Sequence, residues 1–380
     1  MSEAVNILDG WGKITLNEYG KVITGKTPSK NNPEDWGDLI NFITPSEITN
    51  DLKYISNTPR KLSSSGKIRF KKMLLPANSV IVTCIGSDMG KVVINKNIAL
   101  TNQQINAIQI NEKENFDFVY YLLKNAYPIL RKNAIGNGST MPILNKSNFE
   151  SLSFLVPNDT DEQKSIAAIL TSFDDKIELL QAQNKTLEEL AQTIFKEWFG
   201  KYQIGDELPE RWRVGKLGDI LDIKYGKDHK HLDDGNIPLY GSGGIMRYVE
   251  KPLYQKPSIL IPRKGTLSNL FYLNEPFWSV DTMFYSEILK SFFGRFTFLF
   301  LKSLDLSAMN VGSAVPSLTT QVLNQIPIVI PIDEVVMNFD DIVKPFYQKL
   351  ESNNIQIQTL TQTRDTLLPY LMSGEIRVKM

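Results

Sequence analysis

Trp11, Leu16, Gly25 and Lys26 recur as Trp212, Leu217, Gly226 and Lys227, all displaced by 201 positions. Farther on, Gly138, Ser139, Pro142, Leu144, Pro157 and Asp159 recur as Gly312, Ser313, Pro316, Leu318, Pro331 and Asp333, displaced by 174. A chain that contains itself twice folds as two copies of one unit, and this constrains the architecture before any other feature is read. The fall in displacement makes the first copy 27 residues longer between the two anchor sets. Its middle has diverged while its ends have not. With 380 residues the chain is long enough for two or three cores, at roughly 100 to 200 residues per domain.

A second repeat closes each copy. Ile166, Leu170, Phe173, Ile177, Leu180, Asn184, Leu187, Ala191, Ile194 and Trp198 alternate spacings of four and three, and adding 173 gives Phe339, Val343, Phe346, Leu350, Asn353, Ile357, Leu360, Arg364, Leu367 and Leu371. A heptad seam kept in one register for more than four heptads predicts coiled-coil helices of about 57 Å each. Thr160-Asp161-Glu162-Gln163 reads as a capping box opening the first helix, with Gly200 and Gly374 as stop residues. Asn184, Asn353 and Arg364 interrupt the seam and are expected to mark where a third protein docks. In a globule–helix–globule–helix order, antiparallel pairing is the simpler connection. The expected class is α+β: two similar α/β heads separated by two long helices in an antiparallel coiled coil, with pseudo-twofold symmetry. Two such heads on a rigid spacer match the symmetry of duplex DNA, whose half-sites sit at fixed separations.

Charge narrows the partners. The 42 Lys and Arg balance 42 Asp and Glu, so no whole-chain cationic field attracts a polyanion and any nucleic-acid face must be local. One local run stands out: Arg60, Lys61, Lys67, Arg69, Lys71 and Lys72 fall within 13 residues that contain no acid. As a run of charge alone it would be an ordinary solvated face. The single cysteine, Cys84, sits in an apolar strand-like run and permits no internal disulfide, which suits a reducing cytoplasm. No apolar stretch reaches 18 residues and the first residues are not a signal sequence. A cytoplasmic protein with no membrane partner is expected.

Within each copy, strands are predicted over 79–85, 91–94, 107–110 and 258–261 from their β-branched content. Matching amphipathic helices are predicted over 118–124 and 296–302, with their aromatic residues in the core. Between these elements lie loops that mix glycine with Lys, Arg, Asn and Gln. Small residues allow close backbone approach, cations meet phosphates, and amides meet base edges.

Two apparent motifs point elsewhere. Gly20 to Thr27 satisfies the phosphate-loop pattern, but Pro28 and Pro33 follow and no helical periodicity does, so the helix N-terminus that would hold phosphate is missing. His229 and His231 lie near Asp228, Asp233 and Asp234; without cysteine or a spaced third ligand, DNA phosphate contact beside Lys227 and Lys230 is the expected role, and no metal site is expected.

The chain resembles the specificity subunits of type I restriction-modification systems, over essentially its whole length. The resemblance rests on the paired head-and-helix plan, on Gly138, Ser139, Thr140, Met141 and Pro142, and on Pro157 leading into Asp161-Glu162-Gln163-Lys164-Ser165-Ile166. It rests also on Ile194 to Phe199, Glu207 to Trp212 and Leu371 to Ile376. Asp333-Glu334-Val335-Val336 departs from the family's Glu-Gln pair at the start of the second helix. The resemblance implies a first target recognition domain over 1–157, a central helix over 158–200, a second target recognition domain over 201–331 and a C-terminal helix over 332–380. Each head would read one half of a bipartite duplex DNA site, while the coiled coil sets the spacing and docks two methyltransferase subunits. Restriction and translocase subunits would join for cleavage. The chain itself would then be non-catalytic and hold no cofactor, within an adenine-specific DNA methyltransferase that becomes an ATP-dependent endonuclease. Its residues agree, since no Asn-Pro-Pro-aromatic motif and no glycine-rich cofactor loop followed by a helix occurs.

Loop position and side-chain chemistry then select the expected DNA-binding residues: Lys26, Ser29, Lys30, Lys67, Ser87, Lys91, Asn102 and Gln103 in the first head, and Lys227, His229, Lys230, Tyr240, Ser242, Arg263, Lys264 and Asn269 in the second. Two rival functions share some of these features. A two-headed protein scaffold would have the same repeat without affinity for duplex, and a phosphate-loop NTPase would bind ATP through Lys26.

Overall fold

The computed structural model of the protein describes residues 9–49, 52–86, 88–135, 143–309 and 317–378. Ser87, the 138–142 stretch and the repeat residues Gly312, Ser313 and Pro316 lie outside them. The fold is mixed helix and sheet, and the chain divides into two compact units: residues 1–179 with 356–380, and residues 180–355. The central helix, Thr160–Phe199, and the C-terminal helix, Asp333–Ser373, each give one half to either unit.

In the first unit Trp11–Thr15 pairs antiparallel with Ser153–Pro157. A five-stranded sheet follows in the order Gly20–Thr24, Ile105–Ile110, Val80–Thr83, Val92–Asn95 and Tyr54–Ile55. Val80–Thr83 lies between two partners and is buried along its whole length, which is why it reads as a continuous apolar run and not as an alternation. It ends one residue before Cys84 because Cys84 turns to bond Gln104 O (2.8 Å) and Leu144 N (2.9 Å). A second sheet runs Trp36–Gly37, Lys61–Leu62, Ile40–Ile43 and Ala99–Thr101. The helix Phe116–Asn125 buries Phe118, Tyr120, Tyr121 and Leu122 in one core together with Ile166 and Leu170 of the central helix and Leu368 and Leu371 of the C-terminal helix.

The second unit repeats the plan. Arg213–Lys216 pairs with Pro327–Ile330, and a four-stranded sheet runs Leu221–Tyr225, Met283–Ile288, Ser258–Pro262 and Phe271–Leu273. A three-stranded sheet, Gly244–Val249, Asp234–Gly241 and Trp278–Ser279, completes it. The helix Phe293–Ser303 packs Phe296 against Phe195 and Phe199 of the central helix, with Phe339 of the C-terminal helix beside them.

The two long helices run antiparallel in each unit. Residues near the start of the central helix meet the end of the C-terminal helix in the first unit, and the opposite ends meet in the second. The heptad seam is the buried stripe for most of its length, but near the heads it widens to take in Asp174, Phe195 and Phe199.

Two details of these helices correct the sequence-based expectation. Asp159, not Thr160, caps the central helix, accepting from the Asp161 amide (2.9 Å), while Gln163 reaches back to the Pro157 carbonyl (2.8 Å). A carboxylate one residue earlier satisfies the same free amides. The polar seam residues are also not left for a third protein. Asn353 is fully buried and donates to Asn184 Oδ1 (2.8 Å) and Gln183 Oε1 (2.9 Å), and Arg364 is buried against Asp174. The Asn353 amide nitrogen and the Arg364 guanidinium find their partners within the seam, where a buried donor left unpaired is costly. Among the described residues no helix is long and apolar enough to cross a membrane.

Candidate nucleic-acid interface

In the first head the loops meet at Gly25. Its amide donates to Ile105 O (3.4 Å), and a Cβ there would lie 2.1 Å from Thr101 O. Only glycine lets the 25–30 loop press against the 101–104 loop so closely. Thr27 Oγ1 then donates to Gln103 Oε1 (2.8 Å), joining the two tips. The Cys84 bond to Gln104 adds the loop that leads to Lys91. Lys26, Ser29, Lys30 and Gln103 are exposed on this cluster. Lys91 is half-buried and paired with Asp88 (2.8 Å), which reduces its charge toward a ligand.

Asn102 is turned into its own loop. It is buried, and its amide closes the turn by bonding Gln104 Oε1 (3.0 Å) and the Gln104 amide (3.1 Å). Lys67 sits on a short helix, Ser64–Arg69, capped by Ser63 accepting from Gly66 N (3.2 Å). Arg69 is tied to Asp35 (2.9 Å) and Glu34 (3.0 Å), whereas Lys61, Lys67, Lys71 and Lys72 form no ion pair within the described residues. The basic run thus carries four lysines without an ion pair among the described residues.

The second head repeats the junction with different side chains. Gly226 donates to Met283 O (2.9 Å), and a Cβ on it would lie 2.1 Å from Val280 O. Lys227 is exposed and anchored by its amide to Ser279 O (2.9 Å), and its carbonyl accepts from Trp278 Nε1 (3.1 Å). Asn269 Nδ2 donates to Ser242 O (2.9 Å), drawing the 263–269 loop onto the Gly241–Gly244 hairpin tip. Arg263 Nη1 reaches Asp281 O (3.2 Å), and the exposed Lys264 is held by its amide to Thr282 O (3.2 Å). Lys227, Ser242, Arg263, Lys264 and Asn269 therefore gather around the 279–282 segment.

Tyr240 does not join them. It lies in the apolar core beside Phe271, and burial raises its hydroxyl's pKa above the ordinary tyrosine range. His229 is half-buried with its carbonyl accepting from Arg247 Nη2 (2.8 Å), and Lys230 is exposed next to it. His231 packs its edge on Trp278, with Asp228 3.8 Å from Nδ1. Among the described residues no group of three or more His, Cys, Asp or Glu side chains is placed to hold a metal ion. Gly20–Thr24 is a β-strand paired with Ile105–Ile110, so the apparent phosphate-loop sequence lies largely within a sheet ladder.

Two residues outside the expected DNA-binding set carry structural signals. Tyr225, half-exposed at a strand end, lies under the Arg263 guanidinium. Arg60 lies over Trp36 and Phe42. Tyr225 could have been found from its place directly before the repeated Gly226-Lys227 pair. Arg60 carried only the signal of a basic run and was legible as charge alone, because the rings beneath it come from two other strands.

The family model of the type I restriction modification DNA specificity domain matches residues 8–189 and again 209–362. The specificity subunit of the type I restriction enzyme MjaIX from Methanocaldococcus jannaschii is 27% identical, covering 97% of this chain and 94% of its own. The MjaVIII specificity subunit of the same organism is 23% identical over 99% of this chain and 95% of its own. The crystal structure of a type I restriction-modification S subunit from M. genitalium shares the fold, with a TM-score of 0.60 at 22% identity, covering 100% of this chain and 99% of that one.

Proposed function

The chain belongs to the type I restriction-modification DNA specificity family, and from that premise we propose that its two heads each read one half of a bipartite duplex DNA site. It is a specificity subunit and non-catalytic. One observation carries the reading: the same glycine-pinned loop junction is built twice, at Gly25 on Thr101 and at Gly226 on Val280, and its exposed side chains differ between copies. A constant frame with variable tips suits two half-sites of different sequence.

Residues 1–157 and 201–331 are taken as the heads, and 158–200 and 332–380 as the helices that set the spacing. The helices dock two methyltransferase subunits, and restriction and translocase subunits complete the nuclease. The assembled complex methylates adenine, and a DNA target places it in the cytoplasm. DNA contact falls to Lys26, Ser29, Lys30, Lys67, Lys91 and Gln103 in the first head and to Lys227, His229, Lys230, Ser242, Arg263, Lys264 and Asn269 in the second. Ser87 belongs to the same set, while Asn102 and Tyr240 act by holding their loops. The net charge of zero leaves the isolated chain a weak DNA binder, so tight binding comes from the assembly.

The test is the methylome of cells carrying this chain with its methyltransferase partner. A two-part motif with methylated adenines is expected, and replacing residues 1–157 by a foreign head should change one part alone. A change in both parts, or no motif, would refute the assignment.

A further inference from the structure

The chain has ten arginines, and six of them, Arg69, Arg213, Arg247, Arg295, Arg364 and Arg377, face a carboxylate among the described residues. Of the rest, Arg131 donates to the hydroxyl of Tyr127 one helical turn back (2.6 Å), and Arg211 lines a cavity beside the start of the C-terminal helix. That leaves Arg60 and Arg263, one in each head, and they are built alike.

The Arg263 guanidinium lies 5.4 Å from the centre of the Tyr225 ring, and that ring packs edge-on against the fully buried Phe284 at 5.0 Å. Its backbone is fixed on both sides, by its amide to Thr282 O (2.9 Å) and by its carbonyl accepting from Leu318 N (2.9 Å). The Arg60 guanidinium lies 5.0 Å from the ring centre of Phe42 and 5.5 Å from that of Trp36, which themselves pack edge to face at 5.1 Å. Its carbonyl accepts from Phe42 N (3.0 Å) and Thr58 Oγ1 (2.7 Å). Phe42 pairs in register with Leu100, which leads into the Thr101–Gln104 loop. Arg60 is therefore two strands, about 10 Å at 4.8 Å per strand, from that loop's root.

A guanidinium held over a ring with no carboxylate beside it is restrained in place while keeping donors available, and Arg263 gives only Nη1 to a carbonyl, that of Asp281 (3.2 Å). Phosphate contact needs no such restraint, and the flexible unpaired lysines supply it. Guanine presents O6 and N7 side by side in the major groove, the acceptor pair that matches an arginine fork. We propose that Arg60 and Arg263 are specificity-determining residues, each reading one guanine, one in each half of the site. The inference rests on the heads being DNA readers.

The test uses the complex with its methyltransferase partner on duplexes carrying the motif found in the methylome. Each guanine in turn is replaced by 7-deazaguanine, which lacks the N7 acceptor. The unaltered complex should lose about tenfold in methylation at one guanine per half-site. Arg263→Gln should remove that sensitivity in one half and Arg60→Gln in the other. Should a glutamine variant fail to co-elute with its partner, Arg263→Lys and Arg60→Lys keep the charge and should still relax that one base. A half-site with no guanine on either strand, unchanged sensitivity in the variants, or an even loss at all sites with the motif kept would overturn the inference. Absence of any two-part methylation by the unaltered complex would instead overturn the DNA-reading function beneath it.

Discussion

Arg364 of the C-terminal helix donates to Asp174 of the central helix at a point where the two side chains are only 6% and 7% exposed. Tyr121 of the first head donates to the other oxygen of the same carboxylate (2.5 Å). One buried carboxylate thus joins both helices to the helix Phe116–Asn125 of the head, all within the first unit. Arg364→Leu would leave Asp174 buried without its cation, at a cost of about 3–5 kcal/mol. Adding Asp174→Leu together with Tyr121→Phe, so that neither the carboxylate nor the hydroxyl is left unpaired, should restore most of that, since a buried ion pair and apolar groups differ little in net stability. Urea unfolding midpoints of the single and triple variants decide it, and a triple variant no more stable than the single would contradict the account.

The unpaired lysines should act on affinity and leave specificity alone. Changing Lys67, Lys71 and Lys72 to Gln should lower the slope of log binding constant against log salt by about 0.9 for each phosphate no longer neutralised. The methylated motif should stay the same. A shifted motif would mean that at least one of them reads a base.

Gly25 and Gly226 hold equivalent junctions, so their alanine variants should behave alike in different halves of the site. The added Cβ would stand 2.1 Å from Thr101 O or Val280 O and force the backbone apart; overpacking of this kind costs about 1–3 kcal/mol. Gly226→Ala should impair discrimination in one half-site and Gly25→Ala in the other, read by methylation of duplexes with single base changes in each half. Impairment spread over both halves would argue against separate junctions.

Burial pushes the Cys84 thiol up to about 12. The folded state therefore keeps its proton at pH values where the unfolded chain, titrating near 9, has released it. This contribution is fully present below about pH 9 and is lost as pH rises toward about 12. Relative to Cys84→Val, the unaltered protein should lose stability between about pH 9 and 11, measured by urea unfolding, and should resist thiol reagents at pH 8 while folded. Equal pH dependence in the two proteins would show that the thiol is not held neutral.

The repeat, the two helices and their seam were legible because each rests on spacing along the chain. Phe339, Val343 and Leu350 fall on the buried stripe where the heptads put them. The polar seam positions were legible as interruptions but not as pairs, since Asn184 and Asn353 are 169 residues apart in sequence and adjacent in space. Loop chemistry was legible only as a set of side chains. Tyr240 and Asn102 share the composition of a binding loop yet are buried, one in a core and the other in its own turn.

By itself the sequence determined that there are two related heads, two long paired helices and no whole-chain charge to bind DNA, because repetition, periodicity and composition are properties of the chain. Only the tertiary structure decided which loop side chains are free to touch a ligand. Accessibility and orientation depend on partners from distant strands: Thr101 under Gly25, Gln104 around Asn102, Tyr225 under Arg263, and Trp36 with Phe42 under Arg60. Which guanidinium is pinned by a carboxylate and which lies over a ring is a long-range relationship, and no local pattern of residues encodes it.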